Sequence, residues 1–209
     1  MIAFDKSTIL KDFLEREKMS GFPMITKTDF IPEAIATWRI KQHRYNDKTL
    51  HFFTDDWRFN CVWDNPRKYN STIKKYQAVI TPDFSLYLED PEPVKIWNVY
   101  KNRWLGNYWQ SQGLTVIPSV NWANHDSFNY CFEGIEKGST VAITTNTVRK
   151  GDLSHIYFFE GINELLRYLQ PSKVLVFGSK FRYELRAIAS NHGLDPDIFL
   201  HYPYKFSYY

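Results

Sequence analysis

From Leu50 onward, short apolar runs alternate with longer helical patterns at a repeat of roughly 25–37 residues, and this alternation most narrows what the chain can fold into. The runs are Leu50 to Phe53, Ala78 to Ile80, Thr115 to Val120, Ser139 to Thr144, Lys173 to Phe177 and a short sixth at Ile198 to Leu200. Most are apolar on both faces, as strands covered on both sides must be, and each later one is followed by a helix. The pattern predicts an α/β protein with a mainly parallel sheet of five to six strands built from β-α units, as an open sheet or a barrel-like arc. No GxGxxG follows the first strand, which argues against a dinucleotide fold. Right-handed crossovers then place every strand-to-helix loop on one edge, the carboxyl edge.

Asn65-Pro66 reads as a cap and first residue of a helix. In the long helix after Pro93, Val94, Trp97, Tyr100, Trp104 and Tyr108 recur every three or four residues. Such a stripe is expected to pack on the sheet, with Trp97 and Trp104 buried. Asn98, Asn102, Arg103 and Trp109 flank it and are expected to reach beyond the core face. Upstream, residues 8–18 form an amphipathic helical pattern, and Pro32 is read as opening a short helix through Ile35, Trp38 and Ile40. The expected division is an N-terminal helical appendage, residues 1–45, and an α/β domain, residues 46–209.

The 209 residues carry a net charge of +3, too little by itself to argue for a nucleic-acid partner and not enough to exclude one. Basic clusters such as Arg67-Lys68, Lys74-Lys75, Lys101 to Arg103 and Lys180 to Arg182 read as solvated helix faces. No apolar run is long enough to span a membrane, and the first residues do not read as a signal peptide. Cys61 and Cys131, with no CxxC and no zinc spacing, read as reduced thiols of a cytoplasmic protein. Aromatic residues make up 18%, enough to fill a core and leave some for stacking on bases, sugars or a protein partner.

Ligands of parallel α/β proteins bind outside the carboxyl ends of the strands, so polar residues placed there are the candidates for a site. Asp83 and Ser85 follow the Ala78–Ile80 run, and Asp55, Asp56, Asn121, Asn124, His125, Thr145, Asn146, Ser179, Lys180 and His201 occupy equivalent places. Asp83 and His125 are the candidate acid and base. Ser85, Asn121, Trp122, Asn124, Asn146, Ser179 and Lys180 are candidate ligand-binding residues, with Trp122 as a wall. Each has a plainer reading: Asp83 as a turn residue, Asp126 or Ser127 as a helix cap, His125 as a solvated side chain. A divalent cation on Asp55, Asp83 and His125 is the weaker alternative, and no cofactor is assigned. Gly178-Ser179-Lys180 before a helix suits a phosphate, without the full GxxxxGK[ST] pattern. There is no GxSxG elbow and no HExxH.

The segments PDFSLYLEDP, IWNVYKNRWLGNYWQSQGLTVIPSVNW, SFNYCFEGIEKGSTVAITT and ELLRYLQPSKVLVFG, between Asn46 and Gly178, resemble an uncharacterised domain-of-unknown-function family numbered 4417. That resemblance implies an accessory protein of a phage or mobile element acting in the host cytoplasm, and no established activity. Some relatives carry extra cysteines suggestive of a metal-binding segment, which this chain lacks. Three functions suit these features: an enzyme on a phosphorylated or nucleotide-like substrate, a non-catalytic binder of such a ligand, or an inhibitor that docks on a host protein.

Overall fold

A computed structural model describes residues 21–39 and 45–203. The helical pattern at 8–18 and Ile40 lie outside the described residues. The strands are β1 (Ile35–Thr37), β2 (Thr49–His51), β3 (Ala78–Ile80), β4 (Val116–Ile117), β5 (Val141–Thr144), β6 (Val174–Phe177) and β7 (Phe199–Tyr202). The α-helices are α1 (Asp56–Asp64), α2 (Pro66–Ile73), α3 (Glu92–Ser111), α4 (Leu153–Leu169) and α5 (Arg182–Asn191), with 3-10 turns at His125–Asn129 and Pro196–Ile198.

The strands are parallel, as expected, but they form two sheets rather than one of five to six strands. β1-β2-β3-β4 make the first and β5-β6-β7 the second. A parallel bridge between Ser119 and Ala142 runs from one to the other. The run read as Thr115 to Val120 is cut to two strand residues, because Pro118 has no N–H to give a ladder. Ile35 to Thr37 is a strand, not the expected helix after Pro32. It pairs with Thr49 to His51, and β-branched Ile and Thr suit that setting better than a lone helical turn. Residues 21–39, placed in the appendage by the sequence reading, thus pack against the α/β core, where Phe22 and Ile25 are also buried.

Helix ends follow local chemistry. Asn65 Oδ1 accepts the Lys68 N–H at 3.1 Å, with Pro66 at the first helical position of α2. Asp152 caps α4 by accepting from Ser154 N and His155 N. At the next 3-10 turn upstream, the cap is Asn124, paired reciprocally with Ser127, rather than Asp126 or Ser127 as expected.

One buried cluster takes side chains from both sheets: Ile80, Ile117, Ala142, Leu175 and Phe177, with Phe53 just past β2 and Ile35, Leu200 and Tyr202 against it. His51 lies beside it, its ring 5.0 Å from Phe177. Phe53 N–H donates to His51 Nδ1 at 3.3 Å, so the proton sits on Nε2, which faces Thr37 Oγ1 at 3.1 Å. Burial pushes the His51 pKa down to about 3, and the ring is neutral.

The stripe on α3 departs from expectation at its start. Trp104 and Tyr108 are buried, but Trp97 is 50% exposed, stacked on Tyr100 at 5.4 Å and edge-on to Trp63. Trp109, expected to reach outward, is fully buried and stacks on Phe52. Arg103, read as part of a solvated basic face, is also buried. Its guanidinium donates to the carbonyls of Glu133 (2.8 Å), Cys131 (2.6 Å) and Ser119 (3.2 Å) and to Asn102 Oδ1 (2.5 Å). The rigid fork of arginine suits several fixed acceptors at once. Desolvation lowers its pKa to about 10, which leaves it charged at neutral pH.

Candidate functional site

The segment after β3, Thr81 to Ser85, has no regular structure, yet it is held on every side. Asn102 Nδ2 donates to Pro82 O at 2.7 Å, Asn121 Nδ2 to Phe84 O at 2.8 Å and Asn98 Nδ2 to Ser85 O at 2.7 Å. Ser85 is held a second time by Asp56 at the start of α1, which accepts its N–H and its hydroxyl. Thr81 Oγ1 donates to Asn102 Oδ1 and accepts from Ser119 N. A loop without ladder partners must satisfy its backbone polar groups by other means, and here asparagine side chains from α3 and from the loop after β4 do so.

Asp83 is the exception within this loop. Its Oδ1 is sealed from solvent and has no hydrogen-bond partner among the described residues, although the residue keeps some accessible surface elsewhere. Burial raises its pKa well above the ordinary carboxylate range, and the negative charge of Asp56 raises it further. Asp83 therefore holds its proton more tightly than a surface aspartate. A neutral carboxyl can donate one hydrogen bond and accept others. Lys101 Nζ lies 3.9 Å from the Phe84 ring centroid, so a cation sits over the same loop.

Of the residues expected at a site, Asp83, Ser85 and Asn121 come together around this loop. The others serve different neighbours. Trp122 packs flat on α4, its indole N–H on Tyr157 O at 2.9 Å and its ring stacked on Phe158. A Cβ at Gly161 would lie 2.2 Å from that ring, so the glycine is what admits it. Asn124 is spent on the cap described above. His125 Nε2 lies 2.8 Å from Glu160 Oε2 on α4 without good hydrogen-bond alignment; His125 is exposed, and Glu160 is half-buried with that oxygen shut off from solvent. Among the described residues no hydrogen bond or ion pair joins His125 to Asp83. Asn146 and Lys180 flank Gly178: the Asn146 N–H donates to Thr144 Oγ1, and Lys180 Nζ donates to Val148 O at 2.8 Å. Ser179 is exposed beside them. Among the described residues no group of three His, Cys, Asp or Glu side chains is placed to hold a metal ion.

Asn98 and Asn102 escaped the sequence reading, which treated them as flanks of an aromatic stripe. Their spacing of four residues already put them on one face of α3. The sequence could not show that this face meets the loop after β3. In the sequence Asp56 is one strand-end carboxylate among several, and its hold on Ser85 depends on the approach of α1 to that loop.

Comparison with known proteins places the chain among phage proteins. It is 42% identical over 173 residues to the Gene 1 protein of Mycobacterium phage L5, an alignment covering 81% of this chain and 76% of the relative. It is 40% identical over 165 residues to the Gene 1 protein of Mycobacterium phage D29, covering 77% of this chain and 61% of that relative, whose length it therefore spans only in part. No solved structure matches the chain. Residues 14–193 match the family described as Domain of unknown function (DUF4417), and the chain belongs to that family.

Proposed function

We propose that the loop from Thr81 to Ser85 binds a phosphorylated or nucleotide-like small molecule in the cytoplasm of the phage host, with Asp83 presenting a neutral carboxyl group to it. One observation carries this reading: Asp83 Oδ1 is buried and unpartnered in a loop whose neighbouring polar groups are tied down. A buried unpaired polar atom costs about 1–3 kcal/mol, and a ligand that pairs with it recovers that cost. The loop lies past the end of β3, where parallel α/β proteins place their ligands. The proposal extends to shape. The Ser119–Ala142 bridge, the cluster shared by both sheets, and the Tyr202 hydroxyl donating to Pro32 O at 2.6 Å support one barrel-like arc. If the ligand is turned over, Asp83 is the acid.

The test is calorimetric titration of the full chain with nucleoside mono- and diphosphates. Saturable binding is expected, weakened about tenfold by Asp83→Ala (one hydrogen bond's worth) and less by Asp83→Asn. Failure of every phosphorylated compound to bind, or binding indifferent to Asp83→Ala, defeats the reading.

A second reading, a surface that docks on a host protein, is favoured by the exposed aromatics Trp57, Tyr87 and Trp97. It requires a specific host protein to copurify with the parent chain and to be lost from a Trp57→Ala, Tyr87→Ala variant that keeps the parent melting temperature.

A further inference from the structure

Residues 65–82 hold Arg67, Lys68, Lys74 and Lys75 and no acidic residue, a charge of +4 where the whole chain carries +3. The excess of positive charge is therefore local, and α2 with the turn after it presents that charge on one face. Arg67, Lys68, Ser71, Lys74 and Lys75 lie one or two helical turns apart and are all exposed. Pro66, Ile73 and Tyr76 turn inward. The turn keeps the helical course, because Lys74 N–H donates to Asn70 O at 2.9 Å and Lys75 N–H to Thr72 O at 3.2 Å. From Arg67 to Lys75 the face is about 12 Å long at 1.5 Å per residue.

Neighbouring elements extend it. Arg39, just past β1, is exposed and donates to Cys61 Sγ on α1 at 3.2 Å. Trp38 beside it meets the Tyr69 ring edge-on at 5.6 Å, and Lys68 Nζ lies 5.4 Å from that ring, so Arg39 and Lys68 both lie close to Tyr69. Among the described residues Arg39, Lys68, Lys74 and Lys75 make no ion pair. The exposed acids at the border, Asp47 and Asp64, are outnumbered.

Like charges gathered on one short helix repel, and a row of phosphates supplies the countercharge. Tyr69 and Tyr45 each have a lysine over the ring and a second aromatic ring edge-on. They do not offer the open ring faces on which unpaired bases stack, which favours a duplex over a single strand. The major groove of B-DNA is about 12 Å wide and admits a helix. The two basic ends of the face match that width, whereas the groove of an RNA duplex is too deep and narrow for side chains to read.

We propose that this face docks on double-stranded DNA through its phosphate backbone and without reading sequence: Lys68, Lys74, Lys75 and Arg39 meet phosphates, and the Ser71 hydroxyl donates between them. It shares no residue with the loop around Asp83 and does not depend on the function proposed there.

The test is fluorescence anisotropy of a labelled DNA duplex of mixed sequence titrated with the full chain. Saturable binding is expected, weakening about a hundredfold between about 50 and 200 mM salt, as four phosphate contacts require. The variant Lys68→Gln, Lys74→Gln, Lys75→Gln, changed at exposed positions, should keep the parent melting temperature and lower the slope of log affinity against log salt by about three. Lys74→Gln alone should lower it by about one, and decides the matter if the triple variant melts early. Lys27→Gln, Lys137→Gln, Lys150→Gln removes the same charge elsewhere and should leave binding unchanged. No salt-sensitive binding, an unchanged slope in Lys74→Gln, or an equal loss in the Lys27, Lys137, Lys150 control overturns the proposal. So does binding of the single strand, or of an RNA duplex of the same sequence, as tight as that of the DNA duplex.

Discussion

The carboxylate of Asp56 holds Ser85 twice, accepting its backbone N–H at 3.0 Å and its hydroxyl at 2.9 Å. The same carboxylate is a charge that helps keep the Asp83 proton in place. One side chain thus shapes the loop and sets the ionisation of its buried acid. Asp56→Asn removes the charge but keeps an acceptor. The pKa of Asp83 should fall in that variant and still remain above the ordinary carboxylate range, because burial, the larger cause, is untouched. Carboxyl carbon NMR titration of Asp83 reads this directly, and an unchanged value would show that the two carboxyls do not interact.

Asp83 and His51 should bend the pH–stability curve in opposite directions. An acid whose folded pKa is raised stabilises the fold fully below its unfolded value, about 4, and that contribution is lost as pH climbs towards the folded value. Asp83→Asn should therefore gain stability relative to the parent as pH rises above about 4, and the difference should vanish in acid. His51 has a depressed pKa of about 3, so the unfolded chain takes up its proton first as pH falls below about 6.5. Its cost grows from there down to about 3 and reaches several kcal/mol by linkage. Urea melts across this range should show a steeper acid loss in the parent than in His51→Gln, compared as slopes because the substitution also changes packing.

Trp104 and Trp97 share a stripe on α3 but should differ in cost. Trp104→Ala empties a site buried against Trp63 and Tyr108 and should lose about 3–5 kcal/mol. Trp97→Ala removes a half-exposed ring stacked on Tyr100 and should lose only about 1 kcal/mol. Thermal melts of the two variants decide this, and equal losses would contradict the exposure of Trp97.

Gly161→Ala should destabilise by about 1–3 kcal/mol, since the new methyl would overlap the Trp122 ring. Pairing it with Trp122→Phe should recover part of the loss, and a lack of coupling in that double-mutant cycle would mean that the ring does not need the glycine.

Arg103 shows most plainly where sequence reading stops. It stands in a Lys-Asn-Arg run that suits a solvated helix face, and nothing local says otherwise. Its burial follows from where the carbonyls of Ser119, Cys131 and Glu133 converge, which is a property of the packed chain. Trp97 is the converse case: its spacing put it on the core stripe, but at the start of α3 the helix turns Lys95 and Val99 inward and leaves Val94 and Trp97 half-exposed.

The residues by themselves determined the α/β class, the parallel pairing and the edge on which Asp83 lies. Each of these depends on short-range pattern: apolar runs buried on both faces, helices between them, and the fixed hand of the crossover. Tertiary structure decided that the strands divide into two sheets, and that Ile35 to Thr37 pair as β1. It also decided that Asn98, Asn102 and Asn121 clamp the loop around Asp83, while His125 turns to Glu160 on α4. Those outcomes depend on which distant groups meet, because a polar side chain takes whichever partner packing brings within hydrogen-bond reach, and periodicity carries no record of that.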